Sequence, residues 1–106
     1  MAQFDVHATT GRNSVGTPFV VVVQSARYDA RASRVVIPLV VLPPRALDQD
    51  LVPSFRIAGR DVHLNPLGIL TVPIAALGRL VGSLADDASS NAIIKAIDTM
   101  ITRAYG

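Results

Sequence analysis

The sequence predicts a β-rich α+β fold, in which a small antiparallel sheet or open barrel is covered by a C-terminal helix. Short runs of alternating apolar and polar residues occupy most of the chain as far as residue 72, and this period of two is typical of half-buried strands. After residue 86, apolar residues recur every three or four positions, which is the spacing of one helix face. Strands grouped first and a helix placed last indicate α+β architecture rather than alternating α/β architecture.

Five segments carry the strand pattern: residues 3–8, 19–23, 35–42, 54–64 (as a hairpin) and 67–72. Pro38 stands inside the third segment. Because proline cannot donate a ladder hydrogen bond, we expect that strand to lie at an edge or to carry a bulge there. Residues 73–84 give a mixed signal, since Pro73 can open a short helix whereas Gly78 and Gly82 weaken one.

The last segment predicts an amphipathic helix of about four turns. Asp86 and Asp87 supply a side-chain cap and a favourable charge at its start. Its apolar face consists of Ile93, Ile97, Met100, Ile101 and Ala104.

Length and composition limit the classes of protein that this chain can be. The 106 residues are the length of one domain, and we take residues 1–106 as a single domain. Hydrophobic residues make up 50% and charged residues 17%, which excludes a disordered or fibrous chain and indicates self-association. There is no cysteine and no glutamate, so thiolate chemistry is excluded, and we expect neither a metal site nor a cofactor.

Charge and hydropathy predict a cytoplasmic protein. A net charge of +2 is too small to make nucleic acid a default partner. The first residues lack the basic and apolar regions of a signal peptide. The longest uncharged apolar run covers residues 35–44, whereas a membrane-spanning helix needs about 20 residues. We therefore expect no membrane partner.

The common catalytic motifs are absent. Gly11 and Gly16 have the spacing of the glycines in a phosphate-binding loop, but Thr17 and Pro18 follow where lysine and serine or threonine are required. No serine lies in a Gly-x-Ser-x-Gly turn, and without glutamate no His-Glu-x-x-His motif exists.

Two aspartate–histidine pairs have a spacing that places each pair on one strand face. They are Asp5 with His7 and Asp61 with His63. In one interpretation His63 is an acid/base catalyst oriented by Asp61, and a neighbouring arginine holds a phosphate, as a ribonuclease requires. In the other, these residues form the solvated side of a half-buried sheet. We favour the second interpretation, because half-solvated antiparallel strands produce this pattern without any function.

Two further segments have the composition of docking surfaces. Arg27, Tyr28, Arg31 and Arg34 form a basic patch with one aromatic ring, which is either a solvated loop or a binding surface. Tyr105 and Gly106 directly follow the predicted helix, so the tyrosine ring is either part of a frayed end or presented to a partner.

The order of several short motifs resembles that of the CcdB family of bacterial toxins, which poison gyrase as the toxin of a toxin–antitoxin pair. The motifs run in the family's order through essentially the whole chain, with near-identical spacing from Leu51 to Gly78: Gln3-Phe4, Val23-Gln24-Ser25, Val36-Ile37-Pro38-Leu39, Leu51-x-Pro53, Ile57, Val72-Pro73, Gly78, Ala96-Ile97 and Met100. The resemblance implies an SH3-like barrel with a C-terminal helix. It also implies a binding protein rather than an enzyme.

The resemblance further implies a set of partners. The family binds the DNA gyrase A subunit and traps the enzyme on cleaved DNA, and a CcdA-like antitoxin removes it. The toxin itself makes no sequence-specific contact with nucleic acid. It is a homodimer, whose interface would be Ile69, Thr71, Ile97, Met100 and Ile101.

Carried over by position, the gyrase-facing residues would be Arg27, Tyr28, Asp98, Thr102, Arg103, Tyr105 and Gly106. This chain departs from the family at several of them. The family has two aliphatic residues in place of the Arg27–Tyr28 pair and an asparagine in place of Asp98. It ends Phe-Trp-Gly-Ile, and a register shift of two places Tyr105-Gly106 on its Trp-Gly. A tyrosine face can still attract a guanidinium, as the family's tryptophan does on gyrase.

Two alternatives remain open from the sequence. A related toxin family shares this barrel but cleaves messenger RNA, and Asp61 and His63 are of the residue types that such an activity needs. The chain could also be a dimer that has lost its action on gyrase and keeps only its antitoxin.

Overall fold

Seven short strands and one helix make up the described part of this computed structural model, which covers residues 2–11, 14–42 and 51–101. The elements are β1 (Asp5–Ala8), β2 (Phe19–Val22), β3 (Ser33–Val40), β4 (Ser54–Ile57), β5 (Arg60–Leu64), β6 (Leu70–Pro73), β7 (Leu80–Ser83) and α1 (Asp87–Ile101). This is the predicted α+β fold with a C-terminal helix.

The strands form one antiparallel sheet in the order β4-β5-β3-β2-β1-β7, and β6 pairs with β3 beside β5. The sheet curls into a half-barrel and does not close, because β4 and β7 stand at its two ends. Asp5 pairs with Ser83, so the first strand lies between its neighbour in sequence and the last strand of the sheet.

One face of this sheet packs against α1 and forms the core. Val6, Val21 and Ile37 project from adjacent strands and are fully buried, as are Ile93 and Ala96 on the helix. Burial of apolar side chains is worth about 25 cal/mol per Å² of area removed from water, so this contact fixes the helix on the sheet. The helical period therefore predicts the packed face correctly at Ile93 and Ile97, whereas Ile101, which was placed on the same face, is 67% exposed.

Pro38 lies in the central strand β3 rather than at a sheet edge. One edge of β3 pairs with β2, while the other pairs with β6 along residues 33–36 and with β5 at residues 39–40. The backbone nitrogen of Pro38 points towards this second edge, at the gap between the two partner strands, where no ladder donor is needed. This gap gives Pro38 the equivalent of an edge position inside the sheet, as the sequence-based expectation requires.

Residues 66–84 differ from the prediction in three details. The predicted strand 67–72 begins only at Leu70, because Pro66–Gly68 form a 3₁₀ turn. The helix expected after Pro73 is a single 3₁₀ turn, Ile74–Ala76. Strand β7 is absent from the sequence-based prediction, because Leu80 and Val81 are adjacent apolar residues and Gly82 follows them, which leaves no alternation to detect.

Asp86 caps the start of α1 as predicted. Its carboxylate accepts a hydrogen bond of 3.0 Å from the backbone N–H of Ser89, which lies in the first turn of the helix. This backbone bond, with a further bond from the Ser89 side chain, holds the pKa of Asp86 below its ordinary value. The helix therefore begins where the sequence places it.

Candidate functional site

The loop between β2 and β3 presents two of the predicted site residues. Ala26–Tyr28 form a 3₁₀ turn, and the Ser25 hydroxyl accepts a hydrogen bond from the Arg27 backbone N–H at its start. Tyr28 is 48% exposed, and the Arg27 guanidinium lies over its ring, 5.9 Å from the ring centre. This cation–π contact joins the two side chains into one surface feature.

The basic patch is smaller than the sequence predicts, because Arg34 does not belong to the surface. Its side chain is only 3% exposed. The guanidinium donates hydrogen bonds to the backbone carbonyls of Arg31, Ser33 and Asp29. Arg34 is thus part of the support of the loop, whereas Arg27 and Arg31 remain exposed.

The other predicted gyrase-facing residues lie on or beyond α1. Asp98 is exposed on the helix. The remaining four, Thr102, Arg103, Tyr105 and Gly106, lie outside the described residues, as does Ala104 at the end of the predicted helix face.

Exposed side chains of the predicted dimer interface lie on α1 and around the start of β6. The helix packs against the 3₁₀ turn Pro66–Gly68, which directly precedes β6. Ile69 is 37% exposed and Ile101 67% exposed, and Thr71 is exposed as well. We call Ile69, Thr71, Met100 and Ile101 the apolar patch.

Ile97 takes a different role within the predicted dimer interface. It is half-buried and packs against the core of its own chain, and Met100 is half-buried as well. A substitution at Ile97 would therefore disturb the fold as well as any interface.

Asp61 and His63 do not form a catalytic pair in this structure. The Asp61 carboxylate binds the Arg56 guanidinium at 2.8 Å, in an ion pair whose two side chains are both more than half exposed. The Nδ1 atom of His63 shares a hydrogen bond of 2.8 Å with the Ser54 hydroxyl instead. Within the described residues, the hydrogen bonds therefore give His63 no carboxylate to orient it as a general base.

His7 is buried, and the expectation of a solvated strand face is wrong at this position. The ring is 4% exposed, and its Nδ1 lies 3.0 Å from the carbonyl oxygen of Gly78. Because a carbonyl only accepts, Nδ1 carries the proton. The strand β7 and the connection before it cover this side of β1, which the sequence-based prediction did not include.

A groove of about 390 Å³ lies on the sheet face away from α1. Valine, leucine, alanine, proline and glycine line most of it, and the hydroxyls of Thr9, Thr10 and Thr17 are its polar side-chain groups. Thr9 donates its hydroxyl proton to the Thr17 carbonyl. Among the described residues, the lining includes no charged residue and no histidine, so these residues supply no groups for acid–base chemistry.

Residues 2–11, 14–42 and 51–101 contain neither a cluster of metal ligands nor a membrane-spanning helix. No three histidine, cysteine or acidic residues there are grouped as metal ligands. No helix there has the length and apolar character needed to cross a bilayer.

The family model described as "CcdB protein" matches residues 3–103, which is nearly the whole chain. The chain belongs to the CcdB family. CcdB proteins are toxins of toxin–antitoxin pairs, and the fold described above, a curled antiparallel sheet with a terminal helix, agrees with this membership. No curated protein sequence is significantly similar to the chain.

Proposed function

We propose that this CcdB-family chain is the toxin of a type II toxin–antitoxin system that binds the A subunit of DNA gyrase and traps gyrase on cleaved DNA. The family match over residues 3–103 supports the proposal. The structural observation that carries it is the exposed Arg27–Tyr28 pair, which lies on a loop ordered by hydrogen bonds. Such a toxin acts by occupying a surface in the cytoplasm, not by bond-breaking chemistry of its own.

The proposed gyrase-facing surface combines the Arg27–Tyr28 pair with the last helix and the residues after it. Arginine and tyrosine are over-represented among the residues that dominate binding energy, because each has a large contact area and a polar end. Asp98 adds a carboxylate to the exposed side of α1. Thr102, Arg103, Tyr105 and Gly106 complete the surface, with the Tyr105 ring as the group that stacks on a guanidinium of the target.

The proposed active form is a homodimer. Two copies would cover the apolar patch, because Ile69 and Ile101 leave apolar area in water that a self-complementary contact removes. A cognate CcdA-like antitoxin binds this dimer and displaces it from gyrase.

The decisive experiment adds purified protein to gyrase of the same organism, ATP and supercoiled plasmid. We expect linear DNA when the enzyme is denatured, because a trapped gyrase holds a double-strand break. If micromolar protein yields no linear DNA, this chain is not a gyrase poison, and a dimer that keeps only antitoxin binding becomes the better description.

Paired variants test the surface in the same assay. Replacing Arg27 and Tyr28 together by alanine should reduce the linear product by at least about tenfold, because it removes both exposed groups of the pair. Deleting Tyr105 and Gly106 should have a similar effect. Arg56→Ala is the matched control, because this exposed arginine pairs with Asp61 at the opposite end of β3 from the loop.

A further inference from the structure

Arg34 is a buried charge in a position where an apolar residue would be expected. It stands in β3 opposite Val72 of β6, between residues that are mostly apolar, and its side chain is 3% exposed. Removing a guanidinium from water is expensive unless hydrogen bonds compensate for the lost solvation. Nearby oxygen atoms must therefore accept the hydrogen bonds that the guanidinium donates.

The acceptors belong to the loop rather than to the sheet. One terminal nitrogen of Arg34 donates to the Arg31 carbonyl at 2.6 Å and to the Ser33 carbonyl at 2.9 Å. The other terminal nitrogen donates to the Asp29 carbonyl at 2.5 Å. The Asp29 carboxylate lies 3.9 Å from Nε, close enough for charge attraction but too far for a hydrogen bond. One side chain thus fixes three backbone carbonyls.

Gln24 fixes the other half of the same loop. Its amide oxygen accepts a hydrogen bond of 3.1 Å from the backbone N–H of Val35 at the beginning of β3. Its amide nitrogen donates to the Tyr28 carbonyl, also at 3.1 Å. The backbone of Tyr28 is therefore tied to β3 through a side chain that is itself half-buried.

We propose that Gln24 and Arg34 are positioning residues, which hold the Arg27–Tyr28 pair in the conformation that binds the protein target. The inference rests on the proposed function of that pair. A loop held in its binding conformation loses less conformational entropy on binding, so the two supports strengthen affinity without touching the partner. Arg34 provides three bonds that a lysine, with its compact ammonium group, cannot reproduce in the same planar geometry.

The positioning role predicts that substitutions at Gln24 and Arg34 loosen the loop while the stability of the whole fold changes little. Removing one partner of a buried polar cluster is costly where the groups left behind stay buried. The groups that Arg34→Met releases belong to a loop of exposed and half-buried residues, so water can replace the lost hydrogen bonds and the sheet should stay folded. The same change releases the carbonyls of Asp29, Arg31 and Ser33 and should free the loop. Gln24→Ala is a second variant with a smaller effect on packing, because its side chain is only half-buried.

Limited digestion with trypsin measures loop order directly, since Arg27 and Arg31 are exposed cleavage sites within the loop. We expect cleavage at these two sites to rise by at least about tenfold in Arg34→Met and Gln24→Ala, while cleavage at Arg56 and Arg60 stays unchanged. Arg56→Met is the matched control, because it removes an exposed guanidinium at a distant site. Equal cleavage of the loop in the wild type and both variants would overturn the inference.

Affinity for the purified gyrase A subunit is the second readout, measured with the full-length proteins. We expect both variants to bind at least about tenfold more weakly than the wild type, with a thermal midpoint that changes little. If the wild type binds and the variants bind equally well, the positioning role is wrong and the proposed function stands. If the wild type does not bind gyrase, the proposed function fails, and the trypsin result alone decides whether the two residues order the loop.

Discussion

Gly78 lies directly against the backbone of Ala8. Its N–H donates a hydrogen bond of 3.0 Å to the Ala8 carbonyl oxygen, and a Cβ atom at position 78 would collide with that same oxygen. The carbonyl of Gly78 also accepts the Nδ1 proton of His7. Glycine is therefore required at position 78, where the connection to β7 passes directly against the end of β1.

Gly78→Ala should lower the free energy of unfolding by about 2 kcal/mol or more, because backbone atoms, unlike the end of a side chain, cannot move aside cheaply. Chemical denaturation measures the change. Gly82→Ala is the control, since no atom lies within 4 Å of a Cβ built there, and its effect should stay within about 0.5 kcal/mol. Equal losses in the two variants would show that the close approach to Ala8 does not matter.

The hairpin between β4 and β5 offers a stabilising substitution. Ala58 and Gly59 have φ angles of 49° and 78°, the left-handed pair that a type I′ turn requires. Asparagine adopts this region more readily than alanine because its short polar side chain can hydrogen-bond to the local backbone, so Ala58→Asn should raise the free energy of unfolding by about 0.5–1 kcal/mol. Gly59→Ala should lower it by about 1 kcal/mol. A destabilised Ala58→Asn protein would contradict this account of the turn.

Asp86 should make the stability of the protein depend on pH in the acidic range. Its pKa is lowered in the folded state by the Ser89 backbone hydrogen bond, so the carboxylate form stabilises the fold. This contribution is fully present above the unfolded pKa of an aspartate, about 3.9, and disappears as the pH falls through the lower folded value. In thermal unfolding followed by circular dichroism from pH 7 to pH 2, Asp86→Asn should lose less stability than the wild type. Parallel curves would mean that the cap does not depend on charge.

The proposed dimer predicts a selective effect of charge on the apolar patch. Ile69→Asp should produce a monomer in sedimentation experiments, because burying an unpaired carboxylate at an interface is strongly unfavourable. Leu80→Asp is the control, since Leu80 is a 59% exposed apolar residue on β7, which pairs with β1 at one end of the sheet and not with β6. A dimer that persists in Ile69→Asp, or that is lost in both variants, would place the interface elsewhere.

The ribonuclease alternative makes the opposite prediction for His63. Under the proposed function His63→Ala should leave toxicity unchanged and alter stability by no more than about 1 kcal/mol, the value of its hydrogen bond to Ser54. Growth inhibition on induced expression measures toxicity, with Tyr28→Ala as the variant expected to lose it. Loss of toxicity in His63→Ala, together with cleaved cellular messenger RNA, would favour the enzyme.

The parts of the fold that the sequence predicts are those set by local periodicity. The buried side of α1 follows from the spacing of Ile93 and Ile97, and the hairpin at residues 54–64 follows from its two alternating runs. Strand β7 escaped prediction because Leu80–Ser83 acquires its conformation by pairing with β1, a contact distant in sequence.

The same limit applies to the candidate site. Composition correctly marked Arg27 and Tyr28 as exposed, but it grouped Arg34 with them although its guanidinium is buried against the loop backbone. Gln24 appeared only as part of a short motif, and no pattern indicated that its side chain bridges Tyr28 and Val35. Such bridges depend on side-chain direction in three dimensions, which spacing along the chain does not encode.

The pairing of Asp5 with Ser83 has a consequence for how the toxin is made. A nascent chain that emerges from the ribosome exposes one edge of its first strand until residues 80–83 have followed, so the sheet is completed only late in translation. Because α1 packs on that sheet, a prematurely terminated product lacks both the finished sheet and the helix that bears Asp98. A chain that terminates before residue 80 therefore cannot complete the fold described above.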